Sequence, residues 1–207
     1  MVKNFEVVPL KGSIAFDVYS LEGHKLRVGH VCHFTQSGED GDFLVTTRDA
    51  RYHRFSDRIV PFDSRFQYVD IGAGLGGFTP YLVDEIHVSE RPIVIDPVDY
   101  GMVREMLLFA RTVSQRSDIQ GRIDTLVHRC DIYLDPSRVY LVNTTLERAI
   151  DEHPEIHRMA DIVLDYWAAA VRGDRYRIKE LHQILLAPDK NLETNVFANY
   201  RGSSVFC

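Results

Sequence analysis

Asp70 stands two residues before Gly72, and Gly74 and Gly76 follow at alternate positions in the stretch Phe-Gln-Tyr-Val-Asp-Ile-Gly-Ala-Gly-Leu-Gly-Gly-Phe of residues 66–78. An apolar run that ends in an acid and breaks at once into glycines is the pattern of a strand end that binds a ligand. Residues without a Cβ allow a turn tight enough for its N–H groups and carbonyls to face a bound molecule. An acid beside that turn attracts a cationic group and repels an anionic one. Val69 and Ile71 read as the buried strand, and Phe78, Leu82 and Ile86, with Tyr81 beside them, have the spacing of a helix packed on a sheet. A second apolar run, Ile93-Val94-Ile95, also ends in an acid, Asp96.

Two families use such a turn. Gly72-x-Gly74-x-x-Gly77 satisfies the dinucleotide fingerprint, and Asp96 lies 19 residues after Gly77, close to where a ribose-binding acid is expected. Asp70 separates the two readings, because a pyrophosphate there would meet a like charge, whereas an amino group and a sulfonium would be attracted. The pattern Val-Asp-Ile-Gly-Ala-Gly-Leu-Gly resembles the first motif of class I S-adenosylmethionine-dependent methyltransferases. The resemblance implies that Asp70, Gly72, Ala73, Gly74 and Gly76 hold S-adenosylmethionine. It also implies that Asp96, with Pro97 beside it, accepts hydrogen bonds from both ribose hydroxyls.

The elements that must position these residues follow at suitable intervals. Val103, Met106, Leu107, Ala110 and Val113 recur at helical spacing within 99–115, and Val139 to Asn143 reads as a third strand. Ile119, Ile123, Leu126, Val127 and Cys130 make a further stripe, so 118–133 reads as an extra helix, and the resemblance then implies that Asn143, Thr144 and Thr145 lie near the adenine. If 125–129 were the strand instead, Asp131 would take that place. Ala160 to Tyr166 is the fourth strand, Ile178, Leu181 and Leu185 mark a helix, and Leu192 to Phe197 is strand-like. This last step resembles the family's passage from helix to fifth strand, except that Asp189 and Lys190 stand where glycines are usual. The resemblance covers 62–200 and implies an α/β, doubly wound, mostly parallel sheet (a Rossmann-like methyltransferase fold), with residues 62–207 as the cofactor-binding domain.

Residues 1–61 differ in character and read as an N-terminal β-rich elaboration, a sheet edge or a substrate lid. Ile14, Phe16 and Val18 alternate with polar residues, Glu22-Gly23 can turn the chain, and Leu26, Val28 and Val31 continue, which predicts a β-hairpin. A third short strand, 43–46, follows. The family ordinarily ends its sheet with an antiparallel hairpin after strand five, and only a few residues follow 197 here. The open edge is expected to be completed or covered by 13–34, or by a partner subunit in a homodimer.

Methyl transfer from a sulfonium is an in-line displacement, in which positioning at about 3–3.5 Å supplies much of the catalysis. A general base is needed only where the nucleophile must first lose a proton. The resemblance places Asp165-Tyr166-Trp167 where the fourth strand opens into the site. Asp165 then orients or deprotonates an acceptor, and Tyr166 helps line its pocket. The competing reading has Asp165 capping the next helix and Trp167 in the core.

The chain has 207 residues, 45% of them hydrophobic, a length that suits one sizeable core rather than two large domains. Its formal net charge of −6 provides no global field that would draw it to nucleic acid or an anionic membrane. No apolar run approaches the ~18 residues of a membrane span, and the N-terminal residues lack the order of a signal peptide. Cys32, Cys130 and Cys207 have no paired spacing, so reduced thiols in a cytoplasmic protein are expected. His30 and Cys32 share a strand face, but without further ligands at recognisable spacing no metal site is expected. Residues 48–58 interleave basic and aromatic side chains with Asp49 and Asp57, which suits an amphipathic face better than a grip on RNA. Gly76-Gly77-Phe78 resembles the corresponding turn of ribose 2′-O-methyltransferases, but their lysines have no counterparts here. The expected function is therefore methylation of a small-molecule acceptor. Its rivals are RNA methylation, nicotinamide-dependent oxidoreduction and a methyltransferase-like subunit without catalysis.

Overall fold

The computed structural model describes residues 60–165 and 174–198 in full, and the backbone of residues 2–10, 13–20, 25–29, 42–46, 54–55 and 58–59. In chain order the strands are β1 (Val2–Leu10), β2 (Ser13–Ser20), β3 (Lys25–Gly29), β4 (Asp42–Thr46), β5 (Arg54–Phe55), β6 (Arg58–Ile59), β7 (Tyr68–Ile71), β8 (Ile93–Ile95), β9 (Tyr140–Val142), β10 (Ile162–Asp165) and β11 (Val196–Ala198). The helices are α1 (Phe78–Tyr81), α2 (Tyr100–Val113), α3 (Ser117–Leu134), α4 (Leu146–Glu152), α5 (Arg175–Leu185) and α6 (Leu192–Asn195). Two compact units result. The first takes in Met1–Asp49, Gly74–Gly77 and Val98–Leu134, and the second takes in Ala50–Ala73, Phe78–Pro97 and Asp135–Cys207.

In the first unit β2 and β3 pair antiparallel, with Phe16 opposite Val28 and Val18 opposite Leu26, the hairpin that the alternation predicts. β1 pairs antiparallel with β2, and β4 joins β3 in parallel. Among the described residues the N-terminal strands therefore pair only with one another, in a four-stranded sheet of their own ordered β1-β2-β3-β4. α2 lies against β1 and β2. Residues 98–134, read from the sequence as part of the cofactor domain, group with these strands. Asp99 caps α2 by accepting from the Met102 N–H, and Val103, Met106, Leu107 and Ala110 form its buried stripe. Segment 117–134 is a helix, as the stripe predicts, and Asp131 lies on it, paired with Arg104 at 2.5 Å. The reading in which 125–129 is a strand is thereby excluded. Tyr100 and Tyr133 stack with ring centroids 4.5 Å apart, joining the start of α2 to the end of α3.

The second unit is built on a five-stranded, all-parallel sheet ordered β11-β10-β7-β8-β9. Apolar runs such as Tyr68-Val69 and Ile93-Val94-Ile95 are buried throughout, as strands covered on both faces require. Val69, Ile71, Ile95, Val142 and Val163 pack with Leu146 and Ala149 of α4 and with Ile178, Leu181 and Leu185 of α5. On the other face Tyr68, Ile162, Leu164 and Phe197 pack with Val60, Leu82 and the rings of Phe62, Phe66 and Phe78. Strand order reverses between β7 and β10, so the carboxyl ends of these two strands flank a topological switch point, where open α/β sheets bind ligands.

Two elements differ from the reading of the sequence. Segment 78–86 is not one α-helix but a single α-helical turn that runs into a π-helical turn over Leu82–Ile86. Segment 192–197 is a strand only in its second half. Asn191 accepts hydrogen bonds from the Glu193 and Thr194 N–H groups and so nucleates α6 before β11 begins. Among the described residues β11 is hydrogen-bonded on one side only, to β10.

Candidate functional site at the strand ends of the second unit

Asp70 occupies the third position of β7, and its backbone is opposite Val94 on one side and Leu164 on the other. Side chains alternate across a strand, so Asp70 faces away from the α5 side of the sheet. Its carboxylate accepts a 2.8 Å hydrogen bond from the Thr79 hydroxyl, supplied by α1. Burial pushes the Asp70 carboxyl up to about 7, helped by the charges of Asp96 and Asp165, while the bond from Thr79 opposes the rise. Among the described residues, no cation is placed against it.

Gly72 leaves β7 at φ 64°, a left-handed conformation that suits a residue without Cβ, and its N–H donates to the Ile95 carbonyl at 2.8 Å. That bond ties the start of the turn to the end of β8. Asp96 follows β8 directly and is 2% exposed. Its N–H donates to the Val142 carbonyl, and its own carbonyl accepts a 2.8 Å bond from the Asn143 side-chain amide. The Thr144 N–H closes a tight turn onto the Val142 carbonyl. Ala73 is buried, Pro97 and Asn143 are exposed, and Thr144 is half-buried. The structure thus brings Asp70, Gly72, Ala73, Asp96, Pro97, Asn143 and Thr144 to the carboxyl ends of three neighbouring strands.

No protein-family model, curated protein or solved structure matches this chain.

Gly74 and Gly76 belong to the first unit, where Gly74 has φ 53°. There Arg129 Nη1 donates to the Leu75 carbonyl at 2.6 Å and the Tyr133 hydroxyl donates to the Gly76 carbonyl at 3.3 Å, so α3 fixes the second half of the turn. Tyr166 and Trp167 lie outside the described residues, as do His30, Cys32 and most of 48–58.

Asp165 ends β10 opposite Ile71, on the sheet face that α5 covers. Its Oδ2 lies 3.1 Å from His182 Nε2, and both side chains are 0% exposed. Reading the sequence missed His182. The signal was there, since His182 interrupts the apolar stripe of Ile178, Leu181 and Leu185, and a polar residue on a buried stripe needs a partner. Asp189 and Lys190 form an ion pair at 2.8 Å, and Lys190 also reaches Asp161 at 3.3 Å. The turn after α5 is thus pinned by charge. Asp70, Asp96 and Asp165 thus place buried carboxyl groups at adjoining strand ends, and a ligand that brings positive charge to Asp70 there favours its ionised form. Among the described residues, no group of three or more His, Cys, Asp or Glu side chains could hold a metal ion. No helix there is long and apolar enough to cross a membrane.

Proposed function

We propose that this unit binds S-adenosylmethionine and that the protein methylates a small-molecule acceptor. The observation that carries the reading is Asp70, buried directly before the glycine turn and lifted to about 7 because its charge is desolvated and lies near the charges of Asp96 and Asp165. A pyrophosphate would worsen that situation, whereas an ammonium and a sulfonium would relieve it. The order β9-β8-β7-β10-β11, with its switch point beside Asp70, supports the doubly wound arrangement that such a cofactor requires.

The residues present suit the group. In this reading Asp70 faces its cationic part, Asp96 accepts from the ribose hydroxyls, and Asn143 and Thr144 lie beside the base. Bound there, S-adenosylmethionine supplies an electrophilic methyl group. The protein's part is to hold the acceptor in line and to exclude water, and a base enters only for an acceptor that must shed a proton.

Calorimetric titration with S-adenosylhomocysteine and, separately, with NADH tests the proposal. Saturable binding of S-adenosylhomocysteine at on the order of micromolar Kd is expected, with no heat from NADH. Binding of NADH alone would favour the rival reading of Gly72-x-Gly74-x-x-Gly77 and Asp96 as a nicotinamide site.

A further inference from the structure

We infer that Thr79 is a positioning residue: its hydroxyl holds the Asp70 carboxylate in its ionised form, and so sets the pH at which the strand ends of the second unit gain the negative charge that a cationic ligand meets. The consequence for the cofactor rests on the S-adenosylmethionine reading above. Both side chains are buried, Thr79 on α1 and Asp70 on β7, and the 2.8 Å bond between them spans nine residues of chain. A β-branched side chain has few χ1 rotamers, so once α1 is seated the Thr79 hydroxyl is aimed with little freedom left to lose. Thr79 is 0% exposed, so solvent does not stand in for its hydroxyl when that donor is removed.

The groups around Asp70 make the donor decisive. Asp96 follows β8, Asp165 ends β10, and both charges oppose a charge on Asp70, as does its own burial. Of the described groups that act on Asp70, Thr79 is the one that favours the ionised form. An ionised carboxylate only accepts hydrogen bonds and a threonine hydroxyl can donate one, so the bond stabilises the charged state. Its loss leaves burial and two like charges unopposed, and Asp70 then keeps its proton to higher pH. A ligand whose ammonium faces Asp70 would bind well only in more alkaline solution. S-adenosylmethionine and S-adenosylhomocysteine both carry that ammonium, so either reads the effect.

The experiment compares the unmodified protein with Thr79→Val, Thr79→Ala and Thr79→Ser in two titrations from about pH 5.5 to about pH 9.5. Valine keeps the shape of threonine without the donor, alanine removes the donor without the added methyl group, and serine keeps the hydroxyl. The first titration follows the carboxyl directly, by NMR of the ligand-free protein isotopically labelled at its aspartate carboxyls, with Asp70→Asn identifying the signal. The second measures S-adenosylhomocysteine affinity by calorimetry, where the ligand's own titration is common to all variants and drops out of the comparison. Both midpoints should lie at about 7 in the unmodified protein and close to that in Thr79→Ser. They should lie about one to two pH units higher in Thr79→Val and Thr79→Ala. If Thr79→Val does not fold, Thr79→Ala decides. Unmoved midpoints in the folded donor-free variants, or a loss of affinity equal at every pH as a purely structural role would give, overturn the inference. If the unmodified protein binds no S-adenosylhomocysteine, the cofactor reading falls, and the ligand-free titration still decides the role of Thr79.

Discussion

The hydroxyl of Thr79 is 2.8 Å from Oδ2 of Asp70 and is the hydrogen-bond donor to that carboxylate from α1. One neutral donor does not compensate for burial, and the consequence can be read in pH. Below the ordinary value of 3.8 the carboxyl is protonated whether the chain is folded or not. Between there and about 7 the folded protein keeps a proton that the unfolded chain has released, so stability falls as pH rises and the loss is complete above about 7. Asp70→Asn should therefore raise apo stability at about pH 8 by on the order of a few kcal/mol and change little at about pH 4. Chemical unfolding of both proteins across that range checks it, and a pH-independent difference would exclude Asp70 as the cause.

Affinity for S-adenosylhomocysteine, whose amino group is cationic, should rise as pH passes through about 7, because the ligand favours ionised Asp70. Asp70→Asn should flatten that dependence. Titrations at several pH values would show it.

Asp96→Ala should weaken cofactor binding by about 1.5–3 kcal/mol, the worth of charge-assisted hydrogen bonds to two hydroxyls. The fold should persist, because the main-chain bonds that tie Asp96 to its neighbours, its N–H to the Val142 carbonyl and its carbonyl from the Asn143 amide, do not need its side chain. Equal affinity in the folded variant would remove Asp96 from the ribose.

Cys130 is buried on α3, and burial, with Asp131 nearby, pushes its thiol up to about 12 against the opposing charge of Arg104. Iodoacetamide should leave Cys130 unmodified in the folded protein and alkylate it in denaturant, as peptide mass spectrometry would resolve. Rapid native labelling at Cys130 would mean that α3 opens readily.

Leu181→Ala should cost about 2–5 kcal/mol, since Leu181 is fully buried between α5 and the sheet and truncation leaves a cavity. Denaturant unfolding monitored by circular dichroism measures it. A loss under about 1 kcal/mol would mean that the α5 interface relaxes around the gap.

Much of the five-stranded sheet was legible because its strands are continuous apolar runs bounded by acids or turns. Val69, Ile71, Ile93 to Ile95 and Val142 show their burial in their types alone. The stripe from Ile119 to Cys130 likewise distinguished a helix from a strand. What escaped is what depends on partners distant in sequence or on local competition. His182 gains its meaning from Asp165, on another element. The split of 192–197 turns on an Asn191 side chain that captures two N–H groups, an interaction that outweighs the apolar pattern behind it. β1 was missed because Val2–Leu10 lacks clean alternation, and its pairing is supplied by the complementary strand β2. At the candidate site, Asp70, Gly72 and Asp96 were legible as types, but their meeting at the carboxyl ends of β7 and β8 required the parallel register.

The central seam of the sheet joins Val69 to Val163, partners 94 residues apart, whereas β7 and β8 meet across a much shorter crossover. At about 5–20 residues per second, a ribosome would complete β7 some 5–20 seconds before its second neighbour is even synthesised. Throughout that interval the nascent chain carries an apolar strand with one unpaired edge, the kind of surface that captures other strands. Elongation rate between residues 72 and 160, and the holdase capacity of the host, should therefore govern the yield of soluble protein independently of its equilibrium stability.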